Sequence, residues 1–301
     1  MTVINTNVAA TITSNALTKN ERAMSQAMER LSTGQRINNA GDDAAGLAIS
    51  SRMTTYINGL NMAVRNANDA ISMIQTADGA MIEVTSMLQR MRELTIQAAS
   101  GTMSSTDQAA LDTEFQQLDD QIDLISTSTE WNGTKLLDGS LGAVTFQVGA
   151  GASQTIQITF ADLNTDNGAT EASQAGAADS DMFTGLTAAL ASSGTAGTDL
   201  DGLVITNGST HSDTLGYIDT AINRINSQRA TMGAVINRLE YAADNLANVS
   251  QNTSASRSRV LDADYASETT ELARTQIIQQ AATAMLSQAN QQAQSVLALL
   301  K

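Results

Sequence analysis

The sequence predicts a mainly α protein: a long antiparallel helical bundle or coiled coil formed by both chain ends, with a β-hairpin and a small α+β or β outer domain from the middle. Three observations lead there. Proline is absent from all 301 residues, where ordinary usage of about 5% gives roughly fifteen, so nothing removes an amide donor from a long helix. Hydrophobic residues make up 42% of the chain but aromatics only 3%, with 13 Met, so the core is built from Ala, Leu, Ile, Val and Met. Charge is segregated: residues 136–223 carry ten Asp or Glu and no Lys or Arg, which places −10 of the net −15 in mid-chain. The middle is expected to form a solvated tip, while the charge-poor ends fold back on each other. A chain of this length buries a sizeable core, and length alone suggests about two domains.

The elements follow in order. Residues 1–41 read as an N-terminal helix with a linker, since Leu17, Met24, Met28 and Leu31 mark a helix and Gly34 closes it. Residues 42–160 form the first part of a rod. Asp42 or Asp43 in "GDDAAGLAIS" supplies an N-cap, and apolar residues then recur at Ile57, Leu60, Val64, Ala67, Ile71, Ile74, Met81, Val84, Leu88 and Met91. That stripe predicts one helix of about 55 residues, roughly 80 Å long at 1.5 Å per residue. A second helix opens on a Ser105–Gln108 capping-box spacing and carries Leu111, Phe115, Leu118, Ile122 and Ile125. "WNGTKLLDG" then offers an Asn132-Gly133 turn. The alternating runs Val144, Phe146, Val148 and Ile156, Ile158, Phe160 read as a β-hairpin around "GAGASQ".

Residues 161–206, rich in Gly, Ala, Ser, Thr and Asp, are expected to form the outer domain. Residues 207–255 return as a helix with Ile218, Ile222, Ile225, Met232, Ile236, Leu239, Ala243 and Leu246 on one face, and 256–301 form a C-terminal helix marked by Ile278, Met285, Val296 and Leu299 or Leu300.

Several function classes are disfavoured by composition. No Cys exists, so disulfides, thiol nucleophiles and thiolate metal sites are excluded. His211 is the single histidine and lacks the partners of a zinc-protease helix or a catalytic triad; it reads as an exposed loop residue or a neighbour of a helix start. Asp42-Asp43 is explained by capping, and Asp119-Asp120 by a solvated helix face, so acid–base chemistry is not assigned to either pair. No cofactor is expected. A net charge of −15 argues against nucleic acid and anionic membrane surfaces. The N-terminus does not read as a cleavable signal, and no run of about 18 apolar residues suggests membrane insertion. The Asn-x-Ser/Thr triplets at Asn132, Asn207, Asn248 and Asn252 are attributed to chance in a Ser/Thr/Asn-rich chain.

The ends are the informative feature. Thr275 to Leu300 holds no charged side chain, and the first charge of the chain is Lys19. Surface helices normally carry Lys and Glu on their free faces, so these helices are expected to be buried against other copies of the chain.

At these residues a resemblance becomes specific. "VINTN", "ERLSTGQRINNAGDDAAGLAIS", "LQRMRELTIQAA", "WNGTKLLDG", "SRSRVLDADYASETTELARTQIIQQAATAMLSQANQ" and "VLALL" resemble bacterial flagellins. The resemblance covers about 140 residues at the start and 90 at the end, and leaves the middle unmatched. It implies a filament subunit exported unfolded by the flagellar type III apparatus and assembling outside the cell, with terminal segments that are disordered until they coil together in the filament. On that reading Val3, Ile4, Ile12, Leu17, Ile278, Met285, Val296, Leu299 and Leu300 form the polymer interface. The implied partners are further copies of the chain, the flagellar cap and hook-associated proteins, an export chaperone, a host flagellin-sensing Toll-like receptor and an intracellular flagellin sensor. The stretch matching the receptor site carries over Gln89, Arg90, Glu93, Leu94 and Gln97, with Glu114 on the next helix; Val296, Leu297, Leu299 and Leu300 resemble the tail read by the intracellular sensor. The competing readings are a hook–filament junction protein and a flagellin carrying a protease insert, the latter disfavoured by the short middle and the missing His-Glu-x-x-His.

Overall fold

Long helices form because nothing in the chain interrupts them, and their ends are set by identifiable caps. The computed structural model describes residues 7–163, 205 and 211–298. In chain order these contain α1 (Val8–Thr33), α2 (Ala44–Ala98), α3 (Ser105–Ser128), β1 (Glu130–Trp131), β2 (Thr134–Lys135), β3 (Ala143–Gln147), β4 (Thr155–Thr159), α4 (His211–Leu261) and α5 (Tyr265–Ala298). The helix expected from the long stripe is α2, and it is 55 residues long. The expected outer domain, 161–206, lies almost wholly outside the described residues.

Two compact units divide the chain: one comprises residues up to 58 together with those from 249 onward, the other residues 59–248. In the second unit one hydrophobic cluster joins α2, α3, both strands of the longer hairpin and α4. Its α2 line contains Ile74, Met81, Val84, Leu88 and Met91, all without exposed surface. Val64 and Ile71 are only half-buried, because the seam runs through Ala63, Ala67, Ala70 and Ala77, which are buried instead. Small residues there let neighbouring elements approach closely. Two ion pairs tie α2 to α4 in antiparallel sense, Arg92 to Asp219 and Arg229 to Asp78, each at 2.7 Å.

The hairpin pairs β3 with β4 antiparallel, Val144 opposite Ile158 and Phe146 opposite Ile156. Side-chain amides hold it on both flanks. Asn66 of α2 donates Nδ2–H to the Gln147 carbonyl at 3.2 Å, and Gln228 of α4 donates to the Thr159 carbonyl at 2.6 Å. Gly59 of α2 faces the hairpin loop, where an added Cβ would sit 3.1 Å from Ala150 Cβ. The Asn132-Gly133 turn has φ of 50° and 77°, a conformation Asn and Gly tolerate best, and it joins β1 to β2.

Three sequence expectations are corrected. The capping box of α3 is formed by Ser104 and Asp107, not Ser105 and Gln108: the Ser104 hydroxyl accepts from the Asp107 amide while Asp107 Oδ2 accepts from the Ser104 amide. Both residue types cap well, so spacing alone did not fix the frame. The hydrogen bonds from Ser104 hold the Asp107 carboxyl below its ordinary value. Asp119 is 3% exposed and lies on the buried face of α3 with Phe115, Ile122 and Ser126; only Asp120 is solvated. Finally, His211 begins α4 but is buried, with Nε2 2.9 Å from the Ile205 carbonyl. A carbonyl only accepts, so Nε2 carries the proton.

Ile205 is thereby held at both of its backbone groups, since its amide donates to Asp112 Oδ1 of α3 at 2.9 Å. His211→Ala leaves a buried carbonyl without this donor. The expected loss is about 1–3 kcal/mol in the unfolding of the second unit, measured by chemical denaturation.

Candidate functional site

In the first unit the two ends of the chain meet as an antiparallel pair, α1 on α5. Asn7 faces Ala289, Asn20 faces Thr275, and Arg30 faces Glu268. Beyond Arg30 the pairing continues through backbone: Ala263 donates to the Gly34 carbonyl at 2.9 Å and Arg36 to the Leu261 carbonyl at 2.7 Å. Gly34, with φ of 69°, ends α1 as expected and returns its amide to the Arg30 carbonyl at 2.9 Å, the left-handed cap for which glycine is best suited. The Arg30–Glu268 pair at 3.0 Å is largely shielded from solvent.

The turn from α1 into α2 is fastened to α1. Asp42 accepts from the Asn38 and Asn39 amides and from Gln26 Nε2, and these bonds, the backbone ones first, hold its carboxyl below the ordinary range. Asp43 performs the capping, accepting from the Gly46 amide at 2.8 Å. Of the two candidates for the cap, Asp43 is therefore the one used, and Asp42 instead fastens the turn.

The seam between α1 and α5 has a heptad pattern. On α1 it runs through Ala10, Thr13, Leu17, Asn20, Met24, Ala27 and Leu31, and on α5 through Leu272, Thr275, Gln279, Ala282, Leu286 and Ala289. Only Leu17, Met24 and Leu31 on α1 and Leu272 and Leu286 on α5 are large and apolar, and the other seam positions are small or polar, so the seam offers little apolar surface to bury. Large apolar side chains meanwhile point away from it: Ile12 is 63% exposed, Ile277 65%, Met285 60%, and Val8, Met28 and Ile278 are also exposed. On a solitary helical pair this distribution is inverted.

Register sharpens the point. Because Asn7 lies level with Ala289 and Asn20 with Thr275, the charge-free start of α1 lies alongside the charge-free part of α5. Charges resume together on both helices, at Lys19 on α1 and at Arg274 on α5, where Arg274 pairs with Glu271. The hydrogen bond from Arg274 holds the Glu271 carboxyl below its ordinary value. Beyond Asn20 and Thr275, the pair presents an uncharged surface studded with large apolar groups.

Similarity to a known family covers both ends of the chain. Residues 4–141 match the bacterial flagellin N-terminal helical region, and residues 215–300 match the bacterial flagellin C-terminal helical region. The chain belongs to the bacterial flagellin family. It is 43% identical to a flagellin of Bacillus subtilis (strain 168), the match spanning 99% of each chain. It is 36% identical to polar flagellin F of Vibrio parahaemolyticus, again over 99% of each. A putative flagellar hook-associated protein from Vibrio parahaemolyticus shares the fold alone, at 13% identity and a TM-score of 0.55, over 73% of this chain and all of that one.

In this flagellin the residues named from sequence fall into three groups. Ile12, Ile278 and Met285 point outward, whereas Leu17 is half-buried on the seam. Val3, Ile4, Leu299 and Leu300 lie outside the described residues, as do the side chains of Val296 and Leu297. Large apolar side chains alone do not mark the seam, whose small and polar residues are signalled only by their 3–4 spacing.

The receptor-like stretch lies in the second unit. Gln89, Arg90, Glu93 and Gln97 are exposed on α2, and Glu114 is partly exposed on α3. Arg90 binds two carboxylates, Glu114 through Nε at 2.9 Å and Glu93 through Nη1 at 3.0 Å. Leu94 differs: it has no exposed surface and belongs to the hydrophobic cluster, so it supports this surface from beneath. Among the described residues no group of three or more His, Cys, Asp or Glu could hold a metal, and no helix is long and apolar enough to cross a membrane.

Proposed function

We propose that this flagellin is the repeating subunit of a flagellar filament and that its paired terminal helices are the assembly surface. The observation that carries this reading is the inverted pair: an uncharged surface with Ile12, Ile277, Ile278 and Met285 outward, over a seam that buries little. Burying one such side chain stabilises by roughly 1.5–3 kcal/mol, and the gain recurs at every subunit. Contacts between unlike surfaces that do not close into a ring extend into a helical filament. The chain is exported unfolded by the flagellar type III apparatus, with a chaperone guarding it inside the cell, and adds beneath the cap at the distal tip outside the cell. Its terminal segments stay disordered until polymer contacts offset their ordering entropy. Full-length identity to flagellins supports a filament subunit over a junction adaptor, because the hook-associated relative supports no more than a common fold.

We also infer that the exposed Arg90 network, with Gln89, Glu93, Gln97 and Glu114, is a surface a host Toll-like receptor can read, and that an intracellular sensor reads the C-terminal tail. Ion pairs on an exposed surface contribute little to folding, so this one is available to an outside partner.

Two measurements test these readings. Electron microscopy of depolymerised protein given short filament seeds should show long filaments from the intact chain and none from a chain lacking residues 275–300; equal growth of both would contradict the assembly surface. Arg90→Ala should lower receptor signalling with an unchanged thermal transition, and unchanged potency would remove the receptor assignment.

A further inference from the structure

Asn20 is the feature of the terminal pair that packing alone does not explain. It occupies a seam position, flanked along the seam by Leu17 and Met24, and is 8% exposed. An apolar residue there would bury more surface. Its Nδ2 crosses the seam and donates to the Thr275 carbonyl at 2.7 Å, and Thr275 is itself 1% exposed. In an α-helix that carbonyl already serves the residue four positions on, so the bond from Asn20 is an addition and not the rescue of an orphaned acceptor. Fold stability does not require Asn at this position.

Its location suggests what it does instead. The Asn20–Thr275 contact stands where the charges end on both helices: Lys19 immediately precedes Asn20, and Arg274 immediately precedes Thr275. A second asparagine, Asn7, caps α1 through Oδ1 and donates Nδ2–H to the Ala289 carbonyl at 3.1 Å. These two contacts bracket the charge-free halves and hold them level. Sliding α5 by one heptad, so that Asn20 meets Ala282, would bring Lys19 and Glu21 alongside uncharged residues and separate Arg30 from Glu268. A polar residue at one seam position of a coiled coil restricts partner and register at a cost in stability.

We propose that Asn20 is a specificity residue for assembly, resting on the filament reading above: it restrains the apolar seam of α1 from joining seams of other chains in solution, and admits α5 of the same chain in one register. A seam with Leu at this position would gain attraction for any apolar helix, including α1 and α5 of other free subunits. The asparagine keeps a polar amide at the seam, and a partner that sets a large apolar side chain over it in place of a reachable carbonyl leaves that amide buried and unpaired. Asn20 thus weakens the free pair and disfavours off-pathway association before the subunit reaches a filament end.

The test compares the full-length wild type with Asn20→Leu and Asn20→Ala, by far-ultraviolet circular dichroism, analytical ultracentrifugation and seeded elongation. Asn20→Leu should raise the equilibrium for pairing of the ends about tenfold or more, as replacing buried polar groups by apolar ones of similar volume can. It should gain helix, form soluble oligomers without seeds and elongate more slowly. Asn20→Ala, which removes the hydrogen bond without adding apolar surface, should stay monomeric. Asn20→Leu that is monomeric and elongates like the wild type overturns the role of Asn20 and leaves the filament reading intact. Failure of the wild type to elongate on the same seeds overturns both.

Discussion

The structure depends on one constraint: the two ends of the chain must find each other through a seam that is too poor to hold them alone. Most of the seam positions are small or polar, while large apolar side chains such as Ile12, Ile277 and Met285 face outward. The ends pair because antiparallel register supplies polar contacts at intervals, at Asn7, Asn20 and Arg30, and because the backbone zips at Gly34 to Arg36 against Leu261 to Ala263. These contacts select a geometry more than they provide stability. What remains exposed is an uncharged apolar surface, and covering such a surface is favourable.

The second unit is built in the opposite way. Its cluster is continuous from Ala67 to Leu239 and includes Phe115, Phe160 and Leu163 at 1% exposure or less. Polar groups buried there have assigned tasks: the Ser126 hydroxyl donates to the Leu137 carbonyl at 2.7 Å, and His211 with Asp112 holds Ile205. Such a unit can stand independently of assembly, so a marginal terminal pair does not put the whole fold at risk. This unequal distribution leaves the less stable part of the fold at the proposed assembly surface.

Much of the second unit was legible in the sequence, because large apolar residues at helical or alternating spacing report burial directly. Leu88, Met91 and Phe115 are core for that reason, and Val144 and Phe146 fall in the hairpin that their alternation implies. Asp119, Ser126 and His211 were not legible: each is polar, and each is buried by a tertiary arrangement that spacing does not encode. The frame of the α3 cap was ambiguous because adjacent Ser104 and Ser105 have the same capping chemistry. At the terminal pair the legible signal was the absence of charge, which coincides with the stretch where Ile12, Ile277 and Met285 face outward. It could not separate Leu17, which faces the seam, from Ile12, which faces out, because distinguishing two faces of an uncharged helix requires the partner's position. The assignment of Arg90 and its neighbours came from resemblance, and the structure separates buried Leu94 from the exposed members of that set.

The central claim is that the terminal pair draws its stability from neighbouring subunits. Hydrogen exchange followed by mass spectrometry, on the free chain and on the seeded polymer, measures this directly. Amides of Val8–Thr33 and Tyr265–Ala298 should exchange rapidly in the free chain and become strongly protected in the polymer, while those around Leu88, Met91 and Phe115 are protected in both states. Terminal helices already as protected in the free chain as the core around Phe115, or still rapidly exchanging in the polymer, would contradict the account.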